Sequence, residues 1–223
     1  KGWWKLDGNL LDSSGNNRHG DGLSVWKPGN LSSLNIWLDA TDSNSLVTSG
    51  STVTKWTDKS GNGNIMNATG DPRTGTRVHN GKNVIDFDGN DHFISASGYA
   101  TGNNFSFLMV AGIDAIDNAN DSILTITQTV AHPSFQFNTG GVSGEYRISF
   151  SQSSMGTNKT FSQTARHGPS IYEFIFNDST DLLEVFLDGT SLGTTAYTAP
   201  PNQGNKLVLF CNRGLSARPD GFV

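Results

Sequence analysis

Aspartate and asparagine recur in three short phrases between residues 34 and 93 of this 223-residue chain. The phrases are Leu-Asn-Ile-Trp-Leu-Asp-Ala-Thr-Asp at 34–42, Lys-Trp-Thr-Asp-Lys-Ser-Gly-Asn-Gly-Asn at 55–64 and Val-Ile-Asp-Phe-Asp-Gly-Asn-Asp-His-Phe at 84–93. Carboxylate and amide oxygens are hard-cation ligands, and beside an aromatic ring they also bind sugar hydroxyls. The alternative is structural, because Asp and Asn close Asx turns on their own backbone. The sequence leaves both alternatives open.

Composition excludes several classes of function. The net charge is −5 and the chain has no basic cluster, which argues against nucleic acid as a partner. Cys211 is the only cysteine, so the chain cannot form an internal disulfide or a cysteine metal site, and we expect this residue to be a small buried hydrophobe. No apolar run approaches the roughly 18 residues of a membrane-spanning helix, so no membrane insertion is expected.

Short apolar runs between turn residues predict an all-β fold, a two-sheet antiparallel jelly-roll sandwich. Phe105–Ile113 is apolar at consecutive positions, which predicts a central strand covered on both faces. Asp188-Gly189 directly follows an alternating run and predicts a tight hairpin. The predicted strands are 34–38, 84–87, 92–96, 105–113, 122–127, 134–138, 146–151, 171–176, 183–187 and 206–211.

Residues 1–33 differ from the rest of the chain and form either an irregular N-terminal extension or the remnant of a preceding module. The pattern Asp-x-Ser-Gly-Asn occurs at 12–16 and again at 58–62. Adjacent aromatic side chains are good interface anchors, so we predict an interface role for Trp3, Trp4 and Trp26.

The order of the motifs resembles a LamG-like (laminin-G/pentraxin-type) jelly roll of the concanavalin A-like lectin/glucanase superfamily. The matching motifs are Trp37-Leu38-Asp39-Ala40, Trp56-x-Asp58-x-Ser60-Gly61-Asn62, Phe87-Asp88-Gly89-Asn90-Asp91 and the run Leu183–Gly189. The resemblance covers about residues 31–215 and implies one domain over 34–223. We expect that domain to lack the final strand of the family, because the chain reaches Arg218–Val223 where that strand should begin. Three alternatives stay open: the chain is a fragment, the N-terminal segment fills the gap, or a neighbouring subunit donates a strand.

The resemblance implies a Ca²⁺ cofactor, because such folds often hold Ca²⁺ between loops at the end of the sandwich. The oxygen-rich loops contain suitable ligands. The candidates are Asp39, Asp42 and Asp58 in one pair of loops, and Asp88, Asn90 and Asp91 in another.

The resemblance also implies a recognition rim for a surface glycan, formed by the loops 39–45, 58–64, 88–92 and 212–221. The predicted ligand-binding residues are Asp42, Asp58, Asn62, Asn90, Asp91, His92, Asn212 and Arg213.

A catalytic function is not expected. Glycosidases of this superfamily carry a Glu-x-Asp-x-x-Glu strand, and glycoside cleavage needs two carboxyl groups about 5–9.5 Å apart. The only glutamates, Glu145, Glu173 and Glu184, lack that spacing.

Two functions from different classes stay open. The first, which the resemblance implies, is a lectin-like adhesion module on a secreted, cell-surface or virion-surface protein, which is an extracellular location. The second is a structural subunit of an extracellular filament or of a phage tail or capsid. In that case the chain would contact a neighbouring protein subunit, or form a homo-oligomer, through an open sheet edge and the N-terminal tryptophans.

Overall fold

The computed structural model describes sixteen β-strands and two 3-10 helices, Pro28–Asn30 and Ser43–Ser45. The described residues are 28–98, 104–114, 122–129, 132–138, 145–151, 158–164, 168–196, 206–211, 215 and 218–223. The strands are β1 (Leu46–Ser49), β2 (Thr52–Thr57), β3 (Ile65–Thr69), β4 (Arg73–His79), β5 (Lys82–Asp88), β6 (His92–Ser95), β7 (Phe105–Ile113), β8 (Ser122–Thr129), β9 (His132–Asn138), β10 (Glu145–Ser151), β11 (Asn158–Thr164), β12 (Ser170–Asn177), β13 (Leu182–Leu187), β14 (Thr190–Ala196), β15 (Lys206–Leu209) and β16 (Asp220–Phe222).

All strand pairs are antiparallel, and hydrogen bonds link them in one path. The order is β11-β10-β9-β8-β15-β6-β3-β2-β4-β5-β16-β7-β12-β13-β14, with β1 attached to β2. Strands from the two halves of this path pack face to face. Phe137 of β9 contacts Tyr172 and Phe174 of β12 at ring-centroid distances of 5.2 and 4.9 Å. The all-β antiparallel jelly-roll prediction is therefore confirmed.

Alternating side chains form the core between the two layers. In β12, Tyr172, Phe174 and Phe176 are buried, whereas Ile171 and Ile175 face outward. The rings of Phe87 and Phe210 stack at 3.9 Å, and other buried aromatic residues surround them. Burying a large apolar side chain contributes about 1.5–3 kcal/mol, which offsets the entropy lost on ordering the chain.

Two local predictions agree with the structure. Asp188 and Gly189 join β13 to β14 with φ values of 51° and 75°, as a type I′ hairpin turn requires. Cys211 is fully buried. It lies just after β15 rather than within it, and its carbonyl oxygen accepts a hydrogen bond from Thr125 Oγ1.

Other predictions were wrong. Residues 34–38 belong to no strand. β7 is not covered on both faces, since Leu108 is 66% exposed and Val110 is 51% exposed. Several strands were missed because they are rich in Thr, Asn and Gly and carry little apolar pattern, as in β4, β11 and β14.

β16 is a short strand between β5 and β7. Gly221 lies opposite both Phe87 and Ile113, and Phe222 lies opposite both Asp86 and Gly112. The N-terminal extension belongs mostly to residues 1–27, which lie outside the described residues together with Trp3, Trp4 and Trp26. No helix among the described parts of the chain is long and apolar enough to cross a membrane.

Candidate functional site

The polar loops predicted to form one rim lie at two ends of β3. The loop 58–64 leads into Ile65 at the start of β3, whereas His92, which follows the loop 88–91, pairs with Thr69 at its end. At about 3.3 Å per residue these two positions are roughly 13 Å apart along the strand. The described loops 39–45, 58–64 and 88–92 therefore do not form a single rim. They form two groups, which we name the Lys59 cluster and the Asp91 cluster.

Asp58 organises the Lys59 cluster, which consists of Trp37, Asp39, Asp42, Asp58, Lys59 and Asn62. Its Oδ1 accepts hydrogen bonds from the backbone N–H groups of Trp37 (2.7 Å) and Ser60 (2.8 Å). Its Oδ2 accepts from Ser60 Oγ (2.6 Å) and Asn64 Nδ2 (2.8 Å). Asp58 is only 7% exposed. Its carboxylate thus ties the extended segment 34–38 to the β2–β3 loop.

Asn62 makes the second tie between these segments. Its Nδ2 donates to the carbonyl oxygens of Leu34 (2.9 Å) and Asn35 (3.0 Å). The segment 34–38 therefore receives hydrogen bonds from loop side chains, although it belongs to no strand.

Lys59 joins the two remaining carboxylates of the cluster. Its Nζ lies 2.8 Å from Asp39 Oδ2 and 2.6 Å from Asp42 Oδ2, and 4.4 Å from the ring centroid of Trp37. Asp39 accepts a hydrogen bond from the N–H of Thr41, and Asp42 accepts one from the N–H of Asn44. Both are Asx turns, so these two aspartates have the structural role that the sequence left open beside metal or sugar binding.

Nearby charge and hydrogen bonds lower the pKa values of the three aspartates in the cluster. Burial raises the pKa of Asp58, but the hydrogen bonds from Ser60, Trp37 and Asn64 outweigh it and leave the pKa below its ordinary value. Burial also opposes ionisation of Asp39, yet Lys59 and Thr41 lower its pKa. The pKa of Asp42 is lowered chiefly by Lys59. All three carboxyl groups are therefore ionised at neutral pH.

The Asp91 cluster lies at the turns that precede β4 and β6. Asp91 is 1% exposed, and its carboxylate accepts hydrogen bonds from the N–H groups of Asp71 (2.5 Å) and Asp88 (3.3 Å). Gly70 has φ +86°, and a Cβ atom there would collide with Asp91 Oδ1. Asp88 closes its own Asx turn by accepting from the N–H of Asn90. Burial, with a smaller contribution from Asp88, raises the pKa of Asp91.

His92 is buried beside this turn, with 3% of its surface exposed. Burial lowers the pKa of His92, and the positive charge of Arg218 lowers it further. The imidazole is therefore neutral near neutral pH. Direct contact with a surface glycan is not expected of Asp58, Asp91 or His92, because all three are buried.

The candidate calcium ligands do not fit a Ca²⁺ site as they are arranged. Asp58 and Asp91 accept hydrogen bonds from protein donors, and Lys59 forms ion pairs with both Asp39 and Asp42. Within the described ranges, no group of three His, Cys, Asp or Glu side chains is placed to hold a metal ion. A Ca²⁺ ion needs six to eight oxygen ligands. We therefore derive no step of the function from calcium.

The accessible members of the predicted binding set are Asp42, Asn62 and Asn90. Asp42 and Asn62 belong to the Lys59 cluster, whereas Asn90 belongs to the Asp91 cluster. Asn212 and Arg213 lie outside the described residues. The predicted binding role of each residue stays a prediction.

Sequence reasoning missed two cations that form ion pairs with aspartates. Lys59 was one, although its place next to Asp58 in the loop motif was a usable signal. Arg77 was the other: its Nε lies 3.0 Å from Asp86 Oδ1, and its second terminal nitrogen lies 2.6 Å from Asp114 Oδ2. These residues are far apart in sequence, so no local pattern joins them.

Similarity to solved structures supports the fold. A structure of domain 4 of AbnA, an extracellular GH43 arabinanase from Geobacillus stearothermophilus in complex with arabinotriose, matches with a TM-score of 0.58 and 12% identity, covering 74% of this chain and 82% of that one. A SAP-like pentraxin from Limulus polyphemus matches with a TM-score of 0.45 and 12% identity over 59% of this chain and 65% of that one. The carbohydrate binding module CBM66 from Bacillus subtilis matches with a TM-score of 0.40 and 8% identity, covering 70% of this chain and 91% of that one.

No protein-family model matches the sequence, and no curated protein is similar to it in sequence. The jelly-roll fold is the one that the resemblance implied, and the match to domain 4 of AbnA supports it. At these identities the similarity establishes the architecture and not the activity.

Proposed function

We propose that this chain is a non-catalytic carbohydrate-binding module of an extracellular protein. The observation that carries the proposal is the fold that it shares with an arabinanase domain whose structure contains arabinotriose. The Lys59 cluster supports it, because an aromatic ring lies there beside accessible polar side chains, the combination that carbohydrate sites use.

The proposed contact surface is the exposed edge of the Lys59 cluster. Asn44 and Asn62 are exposed, and Trp37, Asp39 and Asp42 are half-buried around them. The Asx turns and the Lys59 ion pairs hold these groups in place before a ligand arrives. A preorganised polar surface loses less conformational entropy on binding.

The carboxylates support a non-catalytic role. Asp86 pairs with Arg77, and Glu184 accepts a hydrogen bond from Ser191 Oγ at 2.8 Å. Glu173 lies opposite Phe186, which is two positions from Glu184 along β13. Both glutamates are on the outward side of the sheet rather than on the two sides of a cleft. A glycosidase instead places its two carboxyl groups on opposite sides of the bond that it cleaves.

Calorimetric titration of the intact chain with arabinotriose, followed by a panel of other oligosaccharides, tests the proposal. We expect at least one glycan to bind, and Asn44→Ala to weaken that binding. The matched control is Asn177→Ala, which removes an Asx-turn side chain distant in sequence from the cluster. The absence of binding across the panel, or equal effects of the two substitutions, would contradict the proposal.

A second candidate function is that of a structural subunit. The observation that favours it is the outward face of β7, where the apolar side chains of Leu108 and Val110 are exposed. Light scattering over a range of concentrations separates the two functions, because a subunit should assemble as concentration rises while an isolated binding module should remain monomeric.

A further inference from the structure

Exposed apolar side chains concentrate on one outward side of the sandwich. Among the described residues nine large apolar side chains are exposed, and five of these lie on β7, β12 and β13. The five are Leu108, Val110, Ile171, Ile175 and Leu182. Val110 and Ile171 are directly opposite each other in the ladder between β7 and β12. A contiguous exposed apolar surface of this kind marks an interaction site.

Two glutamates lie within this apolar surface. Glu173 is flanked by Leu108 on β7 and by Phe186 on β13, and Glu184 lies opposite Ile175. The segments 104–114 and 168–196, which contain these strands, carry six acidic residues and no Lys, Arg or His. A partner for this surface therefore needs apolar side chains together with a cation. We name it the acidic face and define it by Leu108, Val110, Ile171, Glu173, Ile175 and Glu184.

A second exposed surface of the same chain has the complementary composition. Lys55 is exposed on β2 and lies opposite Val47 of β1, which is 49% exposed. Ile65 of β3 is 36% exposed and lies opposite Thr57, two positions from Lys55 on the same side of the sheet. The ion pairs among the described residues use other cations, so Lys55 has no described carboxylate partner. We name this surface, formed by Val47, Lys55 and Ile65, the basic face.

The spacing of charged and apolar positions matches between the two faces. Glu173 and Leu108 are cross-strand neighbours, as are Lys55 and Val47, and such neighbours lie about 5 Å apart. The next apolar side chain of each face is about 7 Å from the charged position, along the strand or on the diagonal. When Lys55 of one chain lies on Glu173 of another, the aliphatic side chains of the basic face therefore meet those of the acidic face.

The two faces lie on different layers of the sandwich. β2 is continuous with β9 through β3, β6, β15 and β8, and it pairs with β4 only at Thr52 and Arg73. β9 in turn packs face to face with β12. One chain can therefore use both faces at once. Two acidic faces packed on each other would place glutamates against glutamates, which disfavours a two-fold contact through this surface.

We propose that the acidic face binds the basic face of a second copy of this chain. Lys55 of one copy pairs with Glu173 and Glu184 of the other, and the aliphatic side chains around them are buried in the contact. The charges fix the register, and the loss of exposed apolar area drives association. Because the contact joins two different surfaces, it repeats from copy to copy into a ring or a filament. It includes no residue of the Lys59 cluster, and its test needs no glycan.

Sedimentation velocity of the intact chain, from about 10 μM to about 1 mM, tests the proposal. We expect the average mass to rise with concentration. The variants K55E and E173K/E184K each place like charges opposite one another and should weaken association about tenfold or more. The matched control is K82E, which makes the same charge change at an exposed lysine on β5, outside both faces.

Mixing the two charge variants gives the decisive measurement. Each variant alone should remain monomeric, whereas an equimolar mixture should assemble within about threefold of the unmodified chain, because every contact in it again joins opposite charges. Restored assembly also shows that both variants are folded. The variant L108T/V110T leaves all charges in place and should weaken association about fivefold, since less apolar area is buried.

Four outcomes would overturn the proposal. They are a chain that stays monomeric at millimolar concentration, equal weakening by K55E and K82E, an L108T/V110T variant that assembles like the unmodified chain, and a mixture of the two charge variants that fails to assemble although each variant melts cooperatively.

Discussion

The ammonium group of Lys59 lies 4.4 Å from the ring centroid of Trp37. The same group pairs with Asp39 and Asp42, so one cation holds together an aromatic ring and two carboxylates from a neighbouring segment. Cation–π and ion-pair contacts of this kind stabilise partly exposed sites modestly. Their effect here is to fix the shape of the surface that we propose as the carbohydrate site.

Replacing Lys59 with methionine should lower the free energy of unfolding by about 1–2 kcal/mol, because Asp39 and Asp42 lose their shared cation and repel one another. Urea denaturation measures the change. Lys55→Met on β2 is the control, since Lys55 is exposed and outside the cluster. An equal loss in the two variants would show that the ion pairs contribute nothing specific.

Replacing Gly70 with alanine should destabilise the chain by about 2–4 kcal/mol. The residue adopts φ +86°, and the new Cβ atom would meet Asp91 Oδ1. Gly50→Ala is the matched control, because Gly50 has φ +62° but no atom within 4 Å of the added Cβ. The free energy of unfolding of that variant should fall by only about 1 kcal/mol, because of backbone strain alone. If both variants lose the same amount, the contact with Asp91 is unimportant.

The stability of the chain should fall at acid pH, in part through Asp58. Its pKa is lower in the folded chain than its ordinary value of 3.8. The resulting stabilisation is therefore complete above pH 3.8 and is lost as the pH falls through the folded-state pKa. The substitution Asp58→Asn should lower the free energy of unfolding at neutral pH by about 2 kcal/mol, because the new amide group and Asn64 would both present hydrogen-bond donors to each other.

Melting curves from pH 7 to pH 2 test this prediction. The difference between the original chain and Asp58→Asn should shrink as the pH falls. Asp181→Asn is the control for loss of one carboxylate outside this cluster. A difference that stays constant over the whole range would assign the effect of Asp58→Asn to packing alone.

Calcium should leave the melting temperature unchanged, because the described candidate ligands are occupied by protein donors. The measurement is a melt after EGTA treatment and again after Ca²⁺ is added in excess. A ligand that binds only the folded state raises the melting temperature. A rise with Ca²⁺ that EGTA reverses would contradict this expectation and support the calcium prediction made from the sequence.

Much of the fold follows from local pattern. The apolar run 171–176 and the alternating run 183–187 predict strands, and the structure contains β12 and β13 there. Asp188-Gly189 predicts the turn between β13 and β14 because both positions need φ above zero. Strands such as β4 were missed, because their polar residues are placed by neighbouring strands rather than by their own alternation.

The sequence by itself determined the strand-rich jelly roll and the presence of aspartate turns, because both depend on periods of a few residues. Only the tertiary structure decided how those turns are used. Asp58 and Asp91 are buried acceptors of backbone N–H groups 20 or more positions away, and Lys59 pairs with both Asp39 and Asp42. The described loops 58–64 and 88–92 lie at the two ends of β3. Such relationships depend on which segments become neighbours in the sheet, and local composition does not encode them.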